Sequence, residues 1–212
     1  MKNIVLYAPP AAGKGTQCEL LEKNFGYKVL SIGQVLRNNR STETEIGRKI
    51  IETQDKGILT PDDIVAEALK NELKKFGDKK IIIEGYPRNI EQAKLLDTIF
   101  NNYIVINLYV DRATAMKRTL GRRNCDKCHK IYNVYFEESK PIEEGICDIC
   151  KEPLTNRTDD NEASFNVRFD VYEENAPQIL KFYGNKNILY RVNGGYSVEF
   201  TNNEVEKIIK EA

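Results

Sequence analysis

Apolar residues are spaced along this chain in two rhythms that take turns. Compact runs at Ile4–Tyr7, Tyr27–Leu30, Lys80–Glu84, Tyr103–Tyr109 and Asn187–Val192 read as strands buried in a sheet. Between them the apolar positions fall at helical spacing. This predicts helices over Lys14–Asn24, Val35–Arg40, Glu43–Asp55, Thr60 to about Lys75, Ile90–Phe100, Ala113–Leu120, Asn161–Tyr183 and Glu204–Glu211. The stretch Thr60-Pro61-Asp62-Asp63 reads as a helix start, with Thr60 as N-cap, Pro61 at the first position and two acids at the positive helix end. Pro177 predicts a bend in its helix. Strands alternating with helices predict an α/β fold, a parallel five-stranded sheet covered by helices on both faces. Residues 124–160 break the alternation and read as a small insertion with short β-prone pieces around Ile131–Phe136.

Composition narrows the picture. The chain has 212 residues, 41% hydrophobic and 30% charged, with a formal net charge of +0. A neutral total argues against a general affinity for nucleic acid or anionic membrane. The longest apolar runs are too short to span a bilayer. The first strand starts almost at the N-terminus, which leaves no room for a signal peptide and makes a cytoplasmic location the expectation.

The stretch Ala8–Gln17 after the first strand, APPAAGKGTQ, carries the first candidate chemistry. A strand, a tight turn and a helix start suit a phosphate loop, whose backbone N–H groups and helix dipole converge on one anion. Lys14 is placed to reach back over the loop, and Gly13 and Gly15 allow close approach. Thr16 offers a hydroxyl to a phosphate or to a magnesium-bound water. Ala8 and Ala11 stand where such loops often carry glycine, and alanine at a positive φ costs roughly 1 kcal/mol or more.

The second candidate is a metal site. Of five cysteines, four form the pairs Cys125-x-x-Cys128 and Cys147-x-x-Cys150, with residues 129–146 between them. Two such knuckles point to a tetrahedral four-thiolate zinc site of structural type, with no position left open. Free buried thiols or a redox pair are the alternative reading. His129 would be surplus to a filled shell, and Cys18 reads as a packed core residue. Arg122, Arg123, Lys127 and Lys130 flank the insertion as a zinc ribbon on nucleic acid would require. Glu137, Glu138, Glu143, Glu144 and Asp148 in the same segment oppose that role.

Read together, the motifs carry a resemblance. YAPPAAGKGTQ resembles the phosphate loop of adenylate kinases and their nucleoside monophosphate kinase relatives. LSIGQVLR at Leu30–Arg37, EGYPRNIEQA at Glu84–Ala93, LGRRNCDKC at Leu120–Cys128 and NRTDDNEASFNVR at Asn156–Arg168 resemble further motifs of that family, in family order and across nearly the whole chain. The resemblance implies reversible phosphoryl transfer from Mg-ATP to AMP, giving two ADP. It also implies a nucleotide-binding core (1–30, 76–123 and 161–212), a helical AMP-binding region (31–75) and a zinc-bearing lid (124–160). On the ATP side it implies Ala11, Ala12, Gly13, Lys14, Gly15, Thr16, Arg118, Arg122 and Tyr132. On the AMP side it implies Ile32, Arg37, Gly85, Arg88, Gln92, Arg157 and Arg168. Lys14, Arg88, Arg122, Arg157 and Arg168 would form the catalytic set, with Glu84 organising magnesium through water. The expected cofactors are structural Zn2+ and Mg2+ with ATP, and the expected state is a monomer.

The chain departs from the family pattern near the phosphates. Glu84 stands for aspartate, Ile32 for threonine and Gln34 for aspartate, beside Ala8 and Ala11. A carboxylate is kept at Glu84, the hydroxyl is lost at Ile32 and a negative charge is lost at Gln34. An altered but active kinase is the leading reading. A nucleotide-binding zinc protein with little turnover, or a kinase for another monophosphate, are the alternatives.

Overall fold

The structure, a computed structural model, describes residues 1–56 and 58–212. Along the chain run β1 (Asn3–Tyr7), α1 (Lys14–Phe25), β2 (Lys28–Ser31), α2 (Ile32–Asn38), α3 (Glu45–Asp55), α4 (Asp62–Phe76), β3 (Ile81–Glu84), α5 (Ile90–Ile99), β4 (Tyr103–Tyr109) and α6 (Arg112–Leu120). Then come β5 (Arg122–Cys125), β6 (Ile131–Asn133), β7 (Leu154–Thr155), α7 (Glu162–Asn185), β8 (Leu189–Asn193) and α8 (Val198–Glu211).

The main sheet has five strands in the order β2-β3-β1-β4-β8, all parallel. Every strand therefore ends at the same edge, where Tyr7, Ser31, Glu84, Tyr109 and Asn193 lie. In the central strand β1, alternate side chains enter opposite cores, as the two-residue period requires. Val5 and Tyr7 join Ile81, Ile83 and Val105 under α2, α4 and α5. Ile4 and Leu6 join Ile82, Ile104 and Ile106 under α1 and α8. Helix α7 serves both cores, with Phe165 and Phe169 on one side of the sheet and Ala176, Ile179 and Tyr183 on the other. It continues as one element through Pro177.

Helix α2 begins at Ile32, three residues before the expected Val35, and α3 at Glu45, two after the expected Glu43; two further starts differ for identifiable reasons. Helix α4 is capped by the Pro61 backbone, without a side-chain bond. Thr60 is buried, and its hydroxyl lies 3.1 Å from that of Thr53 at the end of α3. The cap was outcompeted by a buried polar partner, since an unpaired hydroxyl inside the protein costs more than a cap contributes. Helix α8 begins at Val198, where the Ser197 side chain accepts from the Phe200 N–H. Exposed Val198 and Phe200 had hidden that first turn from an apolar-periodicity reading.

The insertion forms its own three-stranded sheet, β6-β5-β7. Its core is minimal: Cys125, Tyr132 and Cys147 are buried, with Cys128, Cys150 and Leu154 packed beside them. Among the described residues, no helix is long and apolar enough to cross a membrane.

Candidate active site and metal centre

The phosphate loop leaves the centre of the sheet and turns into α1 at Gly13, whose φ of 88° is left-handed. Of the two alanines, only Ala11 takes a glycine-like conformation, with a φ of 56°. Ala8 has no left-handed backbone, so a glycine is not required there. Gly194, after β8, closes the loop from behind: a Cβ at this position would lie 2.9 Å from the Ala12 carbonyl oxygen. Its own carbonyl accepts from Arg118 Nη1 at 2.6 Å. This residue joins the loop to Arg118 and was not singled out from the sequence, although the pair Gly194-Gly195 after a strand was a visible sign.

The Lys14 ammonium donates to the Ala8 and Pro9 carbonyls, at 3.2 and 2.7 Å. Burial lowers its pKa to about 8, with Arg88 and Arg122 adding to the shift while Glu84 opposes it. A half-buried cation whose hydrogen bonds among the described residues go to neutral carbonyls favours the arrival of an anion.

The arginines come from separate elements. Arg37 lies in the last turn of α2, Arg88 after β3, Arg118 at the end of α6, Arg122 on β5, Arg157 before α7 and Arg168 within α7. Several of these charges act on one another. Arg88, open to solvent on one side, is lowered first by desolvation from the surrounding protein and then by Arg168 and Arg37, with Glu84 opposing. Arg157 is lowered by burial, then by Arg122 and Arg37, while Asp160 and Asp159 pull it back. Arg157 makes no ion pair among the described residues.

Other arginines are held by acceptors. Arg122 Nε donates to Asp160 at 2.7 Å, and its Nη2 donates to the second carboxylate oxygen. Arg168 donates to the Asp159 carboxylate at 2.7 Å and to the Asp159 carbonyl at 2.6 Å. Arg37 donates through Nε and Nη2 to Gln34 Oε1, at 3.2 and 2.9 Å. Arg118 is braced from below, since its carbonyl accepts from Asn133 Nδ2 at 2.8 Å. Asp159, Asp160 and Asn133 had no role in the sequence reading, although the two aspartates stand inside a quoted motif; Gln34 figures there only as a lost negative charge.

Glu84 ends β3 opposite Ser31 in the strand register, and the Ser31 hydroxyl donates to its carboxylate at 2.5 Å. Gly85 follows it. Ile32 is buried and offers no polar group. Gln92 is also buried, and both ends of its amide are engaged. Its oxygen accepts from the Arg88 N–H at 2.8 Å and its nitrogen donates to Asp62 at 2.7 Å. One N–H and one oxygen lone pair of this amide are left over for a base edge presented to Gln92.

Tyr132, expected at ATP, instead turns into the insertion. It is 4% exposed, its hydroxyl accepts from the Asp148 N–H at 2.9 Å and lies 3.5 Å from Cys147 Sγ. Burial decides this: Ile131, Tyr135, Ile142 and Ile149 of the insertion stay exposed, and Tyr132 is the large side chain buried among the cysteines.

The four paired cysteines converge, with all Sγ atoms within 4.8 Å of one another. Thiolates about 2.3 Å from a single tetrahedral ion stand about 3.8 Å apart, so the cage has the right size. The two knuckles share one backbone plan. Cys125 N–H donates to the Lys130 carbonyl and Cys147 N–H to that of Glu152, while His129 and Lys151 N–H return to the Cys125 and Cys147 carbonyls. His129 and Lys151 both take a left-handed φ, 61° and 59°. The His129 side chain is not part of the sulfur cage.

Comparison with known proteins agrees with this geometry. The family model described as adenylate kinase matches residues 6–188. An adenylate kinase of Borrelia turicatae is 35% identical over 208 residues, covering 98% of each chain. One of Caldicellulosiruptor saccharolyticus is 36% identical over 213 residues, again covering 98% of each. One of Archaeoglobus fulgidus is 34% identical over 214 residues at the same coverage. A match that runs through the loop, the arginines and the cysteine insertion together means that the chain belongs to the adenylate kinase family.

Proposed function

We propose that this protein transfers the terminal phosphoryl group of ATP to AMP, reversibly, giving two ADP. The observation that carries the reading is a cluster of mutually acting cations: Lys14, Arg37 and Arg88 all lie in the field of Glu84, Arg122 acts on Lys14, Arg37 and Arg157, and Arg168 acts on Arg88. Phosphoryl transfer asks a protein mainly for in-line positioning and for neutralisation of spread negative charge. Planar guanidinium groups supply both, because they hold phosphate oxygens in a fork and keep their charge.

In this reading the loop from Ala11 to Thr16 cradles the ATP phosphates and Lys14 exchanges its two carbonyls for phosphate oxygens. Arg118 carries the donor base. Arg37 and Arg88 grip the acceptor phosphate, with Gly85 and Gln92 beside the acceptor base and Ile32 packing against it. Arg122, Arg157 and Arg168 gather on the transferring group. Glu84 is a hard oxygen donor beside Lys14, Arg37 and Arg88 and suits a magnesium ion held through water. That ion, when bound, neutralises charge on the phosphates. Residues 31–75 and 124–160 serve as the moving acceptor region and lid, which exclude water from the reacting group. The protein works as a monomer.

The four cysteines hold zinc as a structural ion. Thiolate donors, a closed tetrahedral cage and an insertion almost without an apolar core all favour it.

The test is direct. Purified protein with ATP, AMP and magnesium should form two ADP per AMP consumed, at many turnovers per second. Omitting AMP should abolish this. No ADP from AMP, with ATP still bound, would defeat the reading, and CMP, UMP and GMP would then be tried as acceptors. Similarity to adenylate kinases over the whole chain weighs against a binding protein without turnover.

A further inference from the structure

We propose that Tyr132 is an outer contact of the four-cysteine metal centre, its hydroxyl donating to the Cys147 thiolate, and that its side chain serves the metal centre and not ATP. The inference rests on the zinc reading above and extends it from the cysteines to the group that holds one of them.

The hydrogen-bond geometry around this hydroxyl leaves one direction for its proton. The Asp148 N–H points at the phenol oxygen, at 2.9 Å, and takes one of its lone pairs. The remaining neighbour is Cys147 Sγ at 3.5 Å, within reach for a bond to sulfur. A metal-bound cysteine is a thiolate with no proton to give, so the phenol must be the donor. The contact is shielded from water, since Tyr132 is 4% and Cys147 0% exposed. In such surroundings a hydrogen bond to an anion is stronger than in water.

Chain topology supports the assignment. Tyr132 pairs with Arg123 in the ladder between β5 and β6, and Asn133 pairs with Arg122. Successive residues on a strand face opposite ways. Asn133 reaches the Arg118 carbonyl, while Tyr132 faces the sulfur cage. The residue on the nucleotide side of β6 is therefore Asn133.

The test uses Tyr132→Phe in the full-length protein, which keeps the ring and its packing. Zinc release to a chromogenic chelator should be roughly 10-fold or more faster than in the wild type, the usual scale for losing an outer-shell partner. The KM for ATP of the zinc-loaded variant should stay within about 2-fold. In cobalt-substituted protein, the thiolate-to-metal charge-transfer band should move to lower energy, because a sulfur freed of a hydrogen bond gives up its electron more readily. A purely structural role would not shift that band. Unchanged release and an unchanged band, or a raised KM for ATP with normal release, would overturn the proposal. Wild-type protein that binds neither zinc nor cobalt would overturn the zinc reading and this inference together.

Discussion

Arg122 and Asp160 form a fork-to-carboxylate pair in which the Asp160 side chain is only 2% exposed and that of Arg122 17%. The pair holds Arg122 in place before any phosphate arrives. Breaking a buried pair strands one charge, at a cost of about 3 kcal/mol. Asp160→Ala should lower stability by that order in urea unfolding. It should also lower kcat about 100-fold, since a misplaced positioning group can cost that much. A variant with wild-type kcat would show that Arg122 needs no carboxylate to find the transferring group.

Lys14 makes donor binding depend on pH. Its folded pKa, lowered to about 8, lies below that of a lysine in the unfolded chain. Between these values the unfolded state carries more protons, so this residue's contribution to stability rises with pH from about 8 upward. Binding has the opposite sign. The free enzyme loses its ammonium above pH 8, and the KM for ATP should rise as pH passes that value. Lys14→Arg, whatever its basal rate, should flatten the rise. A KM profile that is level from pH 7 to 9.5 in the wild type would contradict the assignment.

Ala11 and Ala8 should answer differently to the same substitution. Ala11→Gly relieves a left-handed alanine, at about 1–2 kcal/mol, and loses part of that gain to chain entropy. Net stabilisation of about 0.5–1 kcal/mol should appear in thermal unfolding. Ala8→Gly relieves nothing and should destabilise by about 0.5–1 kcal/mol through entropy alone.

Gln34 holds Arg37 through a neutral oxygen, leaving the guanidinium charge undiminished for an acceptor phosphate. Gln34→Ala should raise the KM for AMP about 3-fold, the scale of an exposed hydrogen bond to a charged group, with kcat unchanged. Steady-state kinetics with AMP varied at saturating ATP decides it.

Removing the metal should unfold the insertion and spare the sheet. The insertion's core is little more than Tyr132, Leu154 and the cysteines themselves. Chelation should expose residues 124–160 to proteolysis and fast amide exchange, while β1, β3 and β4 stay protected. A lid equally protected with and without metal would contradict this.

Much of this was legible in the residues because periodicity and motif spacing are local properties. The strand Tyr103–Tyr109 falls where its apolar run does, and the cysteine pairs meet as their spacing implied. What stayed hidden depends on partners distant in sequence. The Thr60 hydroxyl preferred Thr53, Tyr132 preferred the sulfur cage, and Arg122 and Arg168 found Asp160 and Asp159. The backbone angle that separates Ala11 from Ala8 belongs to the fold of the loop, and no residue type announces it.

The phosphate loop springs from β1, the middle strand of five, flanked by β3 and β4 and unexposed from Ile4 to Leu6. Both insertions hang elsewhere, one between β2 and β3 and the other between α6 and α7. In the proposed reading the donor phosphates would be clamped to the middle of the sheet, as a workpiece to an anvil, while the parts proposed to swing are hinged at its margins. Such a swing would be wide without shaking the atom to be transferred.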